Sequence, residues 1–139
     1  MNKQQSGFTL IELVAVIVIL GILAATAIPK FVDLASDARK AKVYAALAAL
    51  KSSAGMTHAK YLVNPVSPQN FEDVSVAFVN GYPDAASIAP VSGLVLPDYT
   101  ISTTGATTTV TVTTNCYATY TQAASAILPP TYSSDVNGC

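Results

Sequence analysis

Few residues of this chain could do chemistry, and the first of them is a carboxylate in an unexpected place. Glu12 is the sole formal charge between Phe8 and Ile28, a run dominated by aliphatic residues. A carboxylate inside an apolar segment costs free energy and usually marks a partner or a functional site. Near one end of the run its side chain could also reach an interface, which lowers the cost without explaining the residue. The two cysteines, Cys116 and Cys139, lie far from that run and point to a disulfide in an oxidising compartment. A metal site is the weaker reading, because two thiols without nearby histidines make an incomplete ligand set. The single histidine, His58, stands in a different segment and reads as a surface or packing residue. Asp84, Asp98 and Asp135 are too dispersed for a calcium loop, so no metal and no cofactor are expected. No Gly-x-x-x-x-Gly-Lys phosphate loop and no Gly-x-Ser-x-Gly elbow occur, so the chain offers no basis for an ATPase or a hydrolase. The expectation is a building block, not an enzyme.

The elements that must position these residues follow from composition. The chain has 139 residues, a net charge of −1 and 11% charged residues, the size of one domain with no basic excess for nucleic acid. As a helix, the run Phe8–Ile28 is about 30 Å long, enough to cross a bilayer core. Its flanks argue against an ordinary secretory signal. The basic start is one lysine, Lys3, and the run passes smoothly into a helical pattern beyond the small residues Ala24-Ala25-Thr26-Ala27. Pro29 could end the helix, but Lys30 to Leu62 holds no further proline and is rich in alanine, which favours continuation. Val43, Leu47, Leu50 and Ala54 form one apolar stripe, expected to pack on the rest of the subunit. Phe31, Leu34, Ala38, Ala41, Ala45 and Ala48 form a flatter second face, available to neighbouring helices. The charged residues, Asp33, Asp37, Arg39, Lys40, Lys42 and Lys51, occupy most of the remainder as a solvated face.

From Asn64 the composition shifts to proline, glycine, serine, threonine, valine and tyrosine. Asn64–Pro68 is a connecting loop. Val74–Val79 reads as a short strand or a helical turn ending at Asn80-Gly81-Tyr82-Pro83. Leu94–Ile101 and the alternating Thr107–Thr114 are expected strands, joined by a hairpin turn at Thr103-Thr104-Gly105-Ala106. Tyr117–Thr121 is a candidate third strand. The fold class is therefore α+β: a long N-terminal helix, membrane-spanning in its first half, packed on a small antiparallel sheet. Linking Cys116 to Cys139 would close a loop contributing about 3 kcal/mol, useful in a head with a limited core.

Gly7-Phe8-Thr9-Leu10-Ile11-Glu12-Leu13, followed by the apolar run, resembles the class III signal of type IV pilins and pseudopilins. The resemblance covers roughly the first third of the chain. It implies cleavage between Gly7 and Phe8 by a prepilin peptidase on the cytoplasmic side, retention of the helix, and N-methylation of Phe8. It also implies that Glu12 pairs with the terminal amine of Phe8 on a neighbouring subunit. The chemistry agrees: cleavage exposes an amine that is at least partly cationic near neutral pH, and Phe8 and Glu12 share a helix face. An unpaired buried carboxylate would penalise wrong registers, so the pair sets stagger more than it adds stability. By the same resemblance, the stretch from Gly21 to Pro29 melts locally when the subunit leaves the membrane. Cys116–Cys139 corresponds in position to the C-terminal disulfide loop of the family.

The resemblance divides the chain into a leader (1–7), a transmembrane and filament-core helix (8–28), an amphipathic continuation (29–63) and a β-rich head (64–139). It implies a homopolymer with other pilin subunits, preceded by residence in an inner membrane. The prepilin peptidase is a direct partner; the assembly ATPase and platform proteins act indirectly, and no nucleic acid is expected for a major subunit. The destination is an extracellular filament on a Gram-negative cell. Pro29–Leu34 with Asp37-Ala38-Arg39 looks most like the mannose-sensitive haemagglutinin group of pilins. The nearest alternative is a major pseudopilin of a type II secretion system, which the terminal cysteine pair disfavours. A minor pilin acting as adhesin or DNA-binding receptor is the alternative from another class. An electron-carrying fibre gains little from the widely spaced Phe8, Phe31, Tyr44 and Tyr61.

Overall fold

Thr9 starts the first helix, α1 (Leu10–Val63), and Pro65 stops it. Residue 64 is held out of the helical region by the proline that follows, and its amide makes the last helical bond, to Lys60 O at 3.0 Å. The carbonyl of Asn64, left without a helical donor, accepts from Gln69 Nε2 at 2.5 Å. The computed structural model describes the backbone of residues 7–139, and the side chains of these except residues 29–33. Lys3 and the rest of the leader up to Ser6 lie outside the described residues. The backbone is helical at Gly21 and at Pro29. The chain divides into two units between Ser36 and Asp37.

Among the described residues, the first unit is helical from Leu10 onward. Its segment Leu10–Ile28 is long and apolar enough to cross a membrane, and its large apolar side chains are exposed.

The second unit, Asp37–Cys139, holds the core. From α1 it takes Val43, Ala46, Leu50 and Ala54, all buried at helical spacing, with Leu47 half-buried beside them. The expected stripe is thus the packing face. Ser53 and Thr57 join it as buried polar residues, and Thr57 satisfies its hydroxyl by donating to the carbonyls of Ser53 (2.7 Å) and Ala54 (3.1 Å). Against this stripe pack Ile88, Ala89, Leu94, Val110, Cys116, Ala118 and Tyr120. Each fully buried aliphatic side chain contributes about 1.5–3 kcal/mol by leaving water. Ala38, Ala41, Ala45 and Ala48 on the second face remain exposed.

Two short hairpins come next, β1 (Gln69–Phe71) with β2 (Val74–Val76), then β3 (Phe78–Val79) with β4 (Tyr82–Pro83). A short helix, α2 (Ala85–Val91), leads to a four-stranded antiparallel meander of β5 (Thr100–Thr104), β6 (Thr107–Thr113), β7 (Cys116–Thr121) and β8 (Thr131–Asp135). The β5–β6 turn is two residues long, between the paired Thr104 and Thr107, and Gly105 supplies the positive φ of 57° that such a turn requires. Thr108 and Val110 of β6 face the core, and the Thr108 hydroxyl donates to the carbonyl of Ala85. Tyr120 is fully buried and gives its hydroxyl proton to Pro83 O at 2.6 Å. Burial, then the neighbouring Tyr132, pushes the Tyr120 phenol well above its ordinary range.

Two expectations change, and two elements, α2 and β8, have none to match them. Leu94–Ile101 is not one strand: only Thr100 and Ile101 enter β5, while Leu94 turns into the core behind α2 and Pro97 interrupts the intervening loop. Val74–Val79 is two strands from different hairpins, separated at Ala77. The segment 85–91 is a helix, because Asp84 caps it, accepting from Ser87 N at 2.8 Å through its side chain. The edge strand β8 was also not anticipated; its pairs with β7, from Thr121↔Thr131 to Tyr117↔Asp135, carry the chain back to the second cysteine.

Candidate functional site

The site of interest is the start of α1. Gly7, Phe8 and Thr9 precede the helix in non-helical backbone, and Phe8 is 87% exposed. A Cβ added at Gly7 would meet nothing, so packing does not demand a glycine there. Thr9 and Glu12 then form a capping box. Glu12 Oε2 accepts from Thr9 N at 2.9 Å and from Thr9 Oγ1 at 2.7 Å, while Glu12 N donates to Thr9 Oγ1 at 3.3 Å. The pattern Thr-x-x-Glu before an apolar run is the sequence signature of this arrangement. The signature is legible in the sequence, although the expectation for Glu12 names a partner on another chain and none within its own. With the chain uncut, the Phe8 nitrogen is an amide, so the Phe8–Glu12 ion pair has no cation here. What the geometry does provide is a carboxylate fixed at the first turn of a helix whose next turns expose apolar side chains.

The remaining candidates fall as follows. Cys116 and Cys139 are joined by a disulfide with Cα atoms 5.0 Å apart, which ties the end of the described chain to the first residue of β7. The tail enters that bond through Gly138, whose amide donates to Asn115 O at 2.7 Å; a Cβ at Gly138 would collide with the main-chain oxygen of Thr114. Arg39 Nη1 donates to the carbonyl of Cys139 at 2.7 Å. Lys40 reaches Asp37 at 3.5 Å, and Lys42 reaches Asp98 at 3.7 Å. These exposed contacts contribute little each, but they occupy Arg39, Lys40 and Lys42 within the subunit. His58 is a packing residue: its ring stacks on Tyr82 with centroids 3.9 Å apart and its Nδ1 hydrogen-bonds Gly81 O at 2.8 Å. Asp84 caps α2, Asp98 pairs with Lys42, and Asp135 accepts from Asn137. The three acids therefore serve three separate local structures.

Residues 2–28 match the family model described as the prokaryotic N-terminal methylation motif. That match stops at the end of the apolar run. A longer one reaches through the head: the chain is 38% identical over 112 residues to a Thermus thermophilus protein named type IV narrow pilus major component PilA5, covering 78% of this chain and 97% of that relative. The chain belongs to the type IV pilin family. Its long apolar helix, antiparallel sheet and Cys116–Cys139 disulfide constitute the α+β pilin fold. A Pseudomonas aeruginosa fimbrial protein is 39% identical over 70 residues, covering 49% of this pilin and 46% of the relative. A type II secretion system core protein G from the same organism is 36% identical over 71 residues, covering 51% and 50%. These shorter matches span about half of either chain. No solved structure matches the pilin.

Proposed function

We propose that this pilin is a major subunit of a type IV pilus, cut between Gly7 and Phe8 by a prepilin peptidase and N-methylated at Phe8. It is a structural protein that assembles with other pilin subunits, first held in a membrane and then displayed at the cell surface. In the proposed sequence of events residues 1–7 are removed, 8–28 exchange lipid for sister helices, 29–63 continue the shaft and 64–139 form the outer head. The observation that carries this reading is the uncovered apolar surface of Leu10–Ile28 with a single carboxylate at its start. Such a surface needs lipid or identical helices around it, and cleavage places a cation one turn from Glu12 where a staggered neighbour can meet it. Gly21 and Pro29 are the proposed points of melting, since glycine weakens a helix and proline removes one of its hydrogen bonds. The assembly ATPase and platform proteins act upstream, the cell is Gram-negative, and the filament serves adhesion, motility or surface attachment.

The test is electron microscopy of sheared surface filaments with N-terminal sequencing of their main band. The expected first residue is methylated Phe8. A filament whose main band starts at Met1, or is another protein, refutes the proposal. A second reading, the major pseudopilin of a type II secretion system, draws on the likeness to core protein G. Loss of secretion with no surface filament would favour it.

A further inference from the structure

The four-stranded sheet has two faces of opposite character. One looks into the core and buries Thr108, Val110, Ala118 and Tyr120. On the other no position is buried, and strand pairing sets its residues in three rows across β5 to β8. The middle row is Ser102, Thr109, Thr119 and Ser133, and the row on one side of it is Thr104, Thr107, Thr121 and Thr131. The third runs from Thr100 and Thr111 to Tyr117 and Asp135. Every position but the last carries a hydroxyl. The exception, Asp135, has its Oδ1 engaged by the amide and side-chain nitrogens of Asn137.

Strand propensity explains threonine on such a face but not the missing charge. Exposed sheet faces and edges ordinarily mix in lysine and glutamate, which maintain solubility and block pairing with other chains. Here no cation stands in any row, and the edge strand β5 has neither charge nor proline. The hydroxyls are also held in place. Threonine is stiff at χ1, and neighbours across the strands share hydrogen bonds, Thr107 with Thr121 at 3.0 Å and Thr119 with Ser133 at 2.5 Å. Each hydroxyl has one donor and two acceptor sites, so one shared bond leaves much of that capacity free.

We propose that this face binds an uncharged polysaccharide. Its partner must hydrogen-bond in both senses and needs no charge, since no cation and only one engaged carboxylate stand there to meet one. A chain of neutral sugars meets both conditions. Side chains on one face repeat about 4.8 Å apart across the strands and about 6.6–6.8 Å apart along them, close enough for successive sugar hydroxyls to find partners. Tyr117 adds a half-buried ring with an apolar body and a polar tip. Adjacent strands turn by about 20–25°, so the face is a shallow saddle, which a flexible chain follows and a flat crystal plane such as ice does not. Stiff, laterally bonded side chains have little freedom left to lose on binding, which favours affinity.

The site gives the surface attachment in the pilus reading a chemical target and rests on that reading only for its use in a filament; binding itself belongs to the single subunit. Galactomannan, amylose and dextran, with alginate as the anionic control, are immobilised, and binding of the full-length subunit in detergent is measured by biolayer interferometry. The expected result is saturable binding to at least one neutral polysaccharide, insensitive to salt and weaker on alginate. Thr109→Val/Thr119→Val removes two hydroxyls while keeping shape and strand propensity. It should weaken binding about tenfold with an unchanged thermal midpoint, whereas Thr113→Val, outside the rows, should bind as the parent does. Binding to none of the three, with or without adsorption to growing ice or self-association, overturns the site. Preference for alginate, or equal binding by the double variant, overturns it too. Absence of surface filaments from cells making the unaltered chain overturns the pilus reading, not the site.

Discussion

Removing the Cys116–Cys139 bond is the perturbation whose size the head predicts best. The cysteines are 23 positions apart, and closing a loop of that length removes enough freedom from the unfolded chain to contribute about 3 kcal/mol. The folded state needs little rearrangement without it. Five residue pairs still hold β8 to β7, Gly138 N still reaches Asn115 O, and Arg39 still donates to the Cys139 carbonyl. The loss should therefore appear as stability and not as a changed fold. Cys116 is fully buried among apolar neighbours, so alanine is the right replacement; serine there would add a buried hydroxyl and confuse the result.

The full-length Cys116→Ala/Cys139→Ala pilin, in detergent, should melt about 12–24 °C below the parent, taking 4–8 °C per kcal/mol for a domain of this size. Adding reductant to the parent should reproduce most of that shift, and the circular dichroism spectrum at low temperature should be unchanged. A shift under about 3 °C in both experiments would refute the loop-entropy account. A large shift with altered low-temperature spectra would mean instead that the bond builds the β7–β8 corner and does not merely secure it.

Leu50→Ala, at a fully buried position of the packing stripe, should cost about 2–5 kcal/mol and lower the melting midpoint further than Ala48→Ser on the exposed face; equal shifts would put the core elsewhere. Tyr120 stays neutral in the folded head above the pH at which the unfolded chain ionises it, so it contributes stability below about pH 10 that is lost as pH climbs. Burial raises Tyr132 in the same direction, so Tyr120→Phe should flatten, not abolish, the alkaline loss of stability; an unchanged slope in pH-dependent denaturation would show that Tyr120 does not drive it. Glu12→Gln should give a processed, membrane-held subunit that forms few filaments, and abundant filaments on microscopy would end the register role.

How much of this was legible in the sequence depends on the range of the interactions. The helix, its packing stripe and strand β6 are local patterns of period 3.6 or 2, and Val43, Leu50, Ala54 and Val110 lie where those periods put them. The helix α2 was missed although Asp84 signals its start, because two prolines, Pro83 and Pro90, bracket too few residues for periodicity to speak. The strand β8 was missed for a different reason. Thr131-Tyr132-Ser133-Ser134-Asp135 has no apolar alternation, since as an edge strand it buries little, and its existence depends on β7 and the disulfide. At the N-terminus Glu12 stands out by its charge alone, whereas its bond to Thr9 is carried by a four-residue capping pattern that overlaps the start of the apolar run.

That bond sharpens how one helix can serve two solvents. In lipid, before a cationic Phe8 amine has been matched to a neighbour, a bare carboxylate would be costly, and Thr9 gives Glu12 two donors within its own chain. A bond of this kind is local and identical in every subunit, so it carries no information about register. In the proposed assembly the pair with a neighbouring amine would carry that information, since only one stagger would bring the charges together. In that proposal the two states would differ in what Glu12 accepts from. Thr9→Val therefore offers a separation that Glu12→Gln cannot: it removes the hydroxyl donor and leaves the carboxylate for the neighbour. On the proposed assembly, Thr9→Val subunits should still form filaments of normal helical repeat, with the unassembled pool in the membrane reduced. Filaments lost as completely as in Glu12→Gln would show that the cap itself, and not the intersubunit pair, is what assembly requires of Glu12.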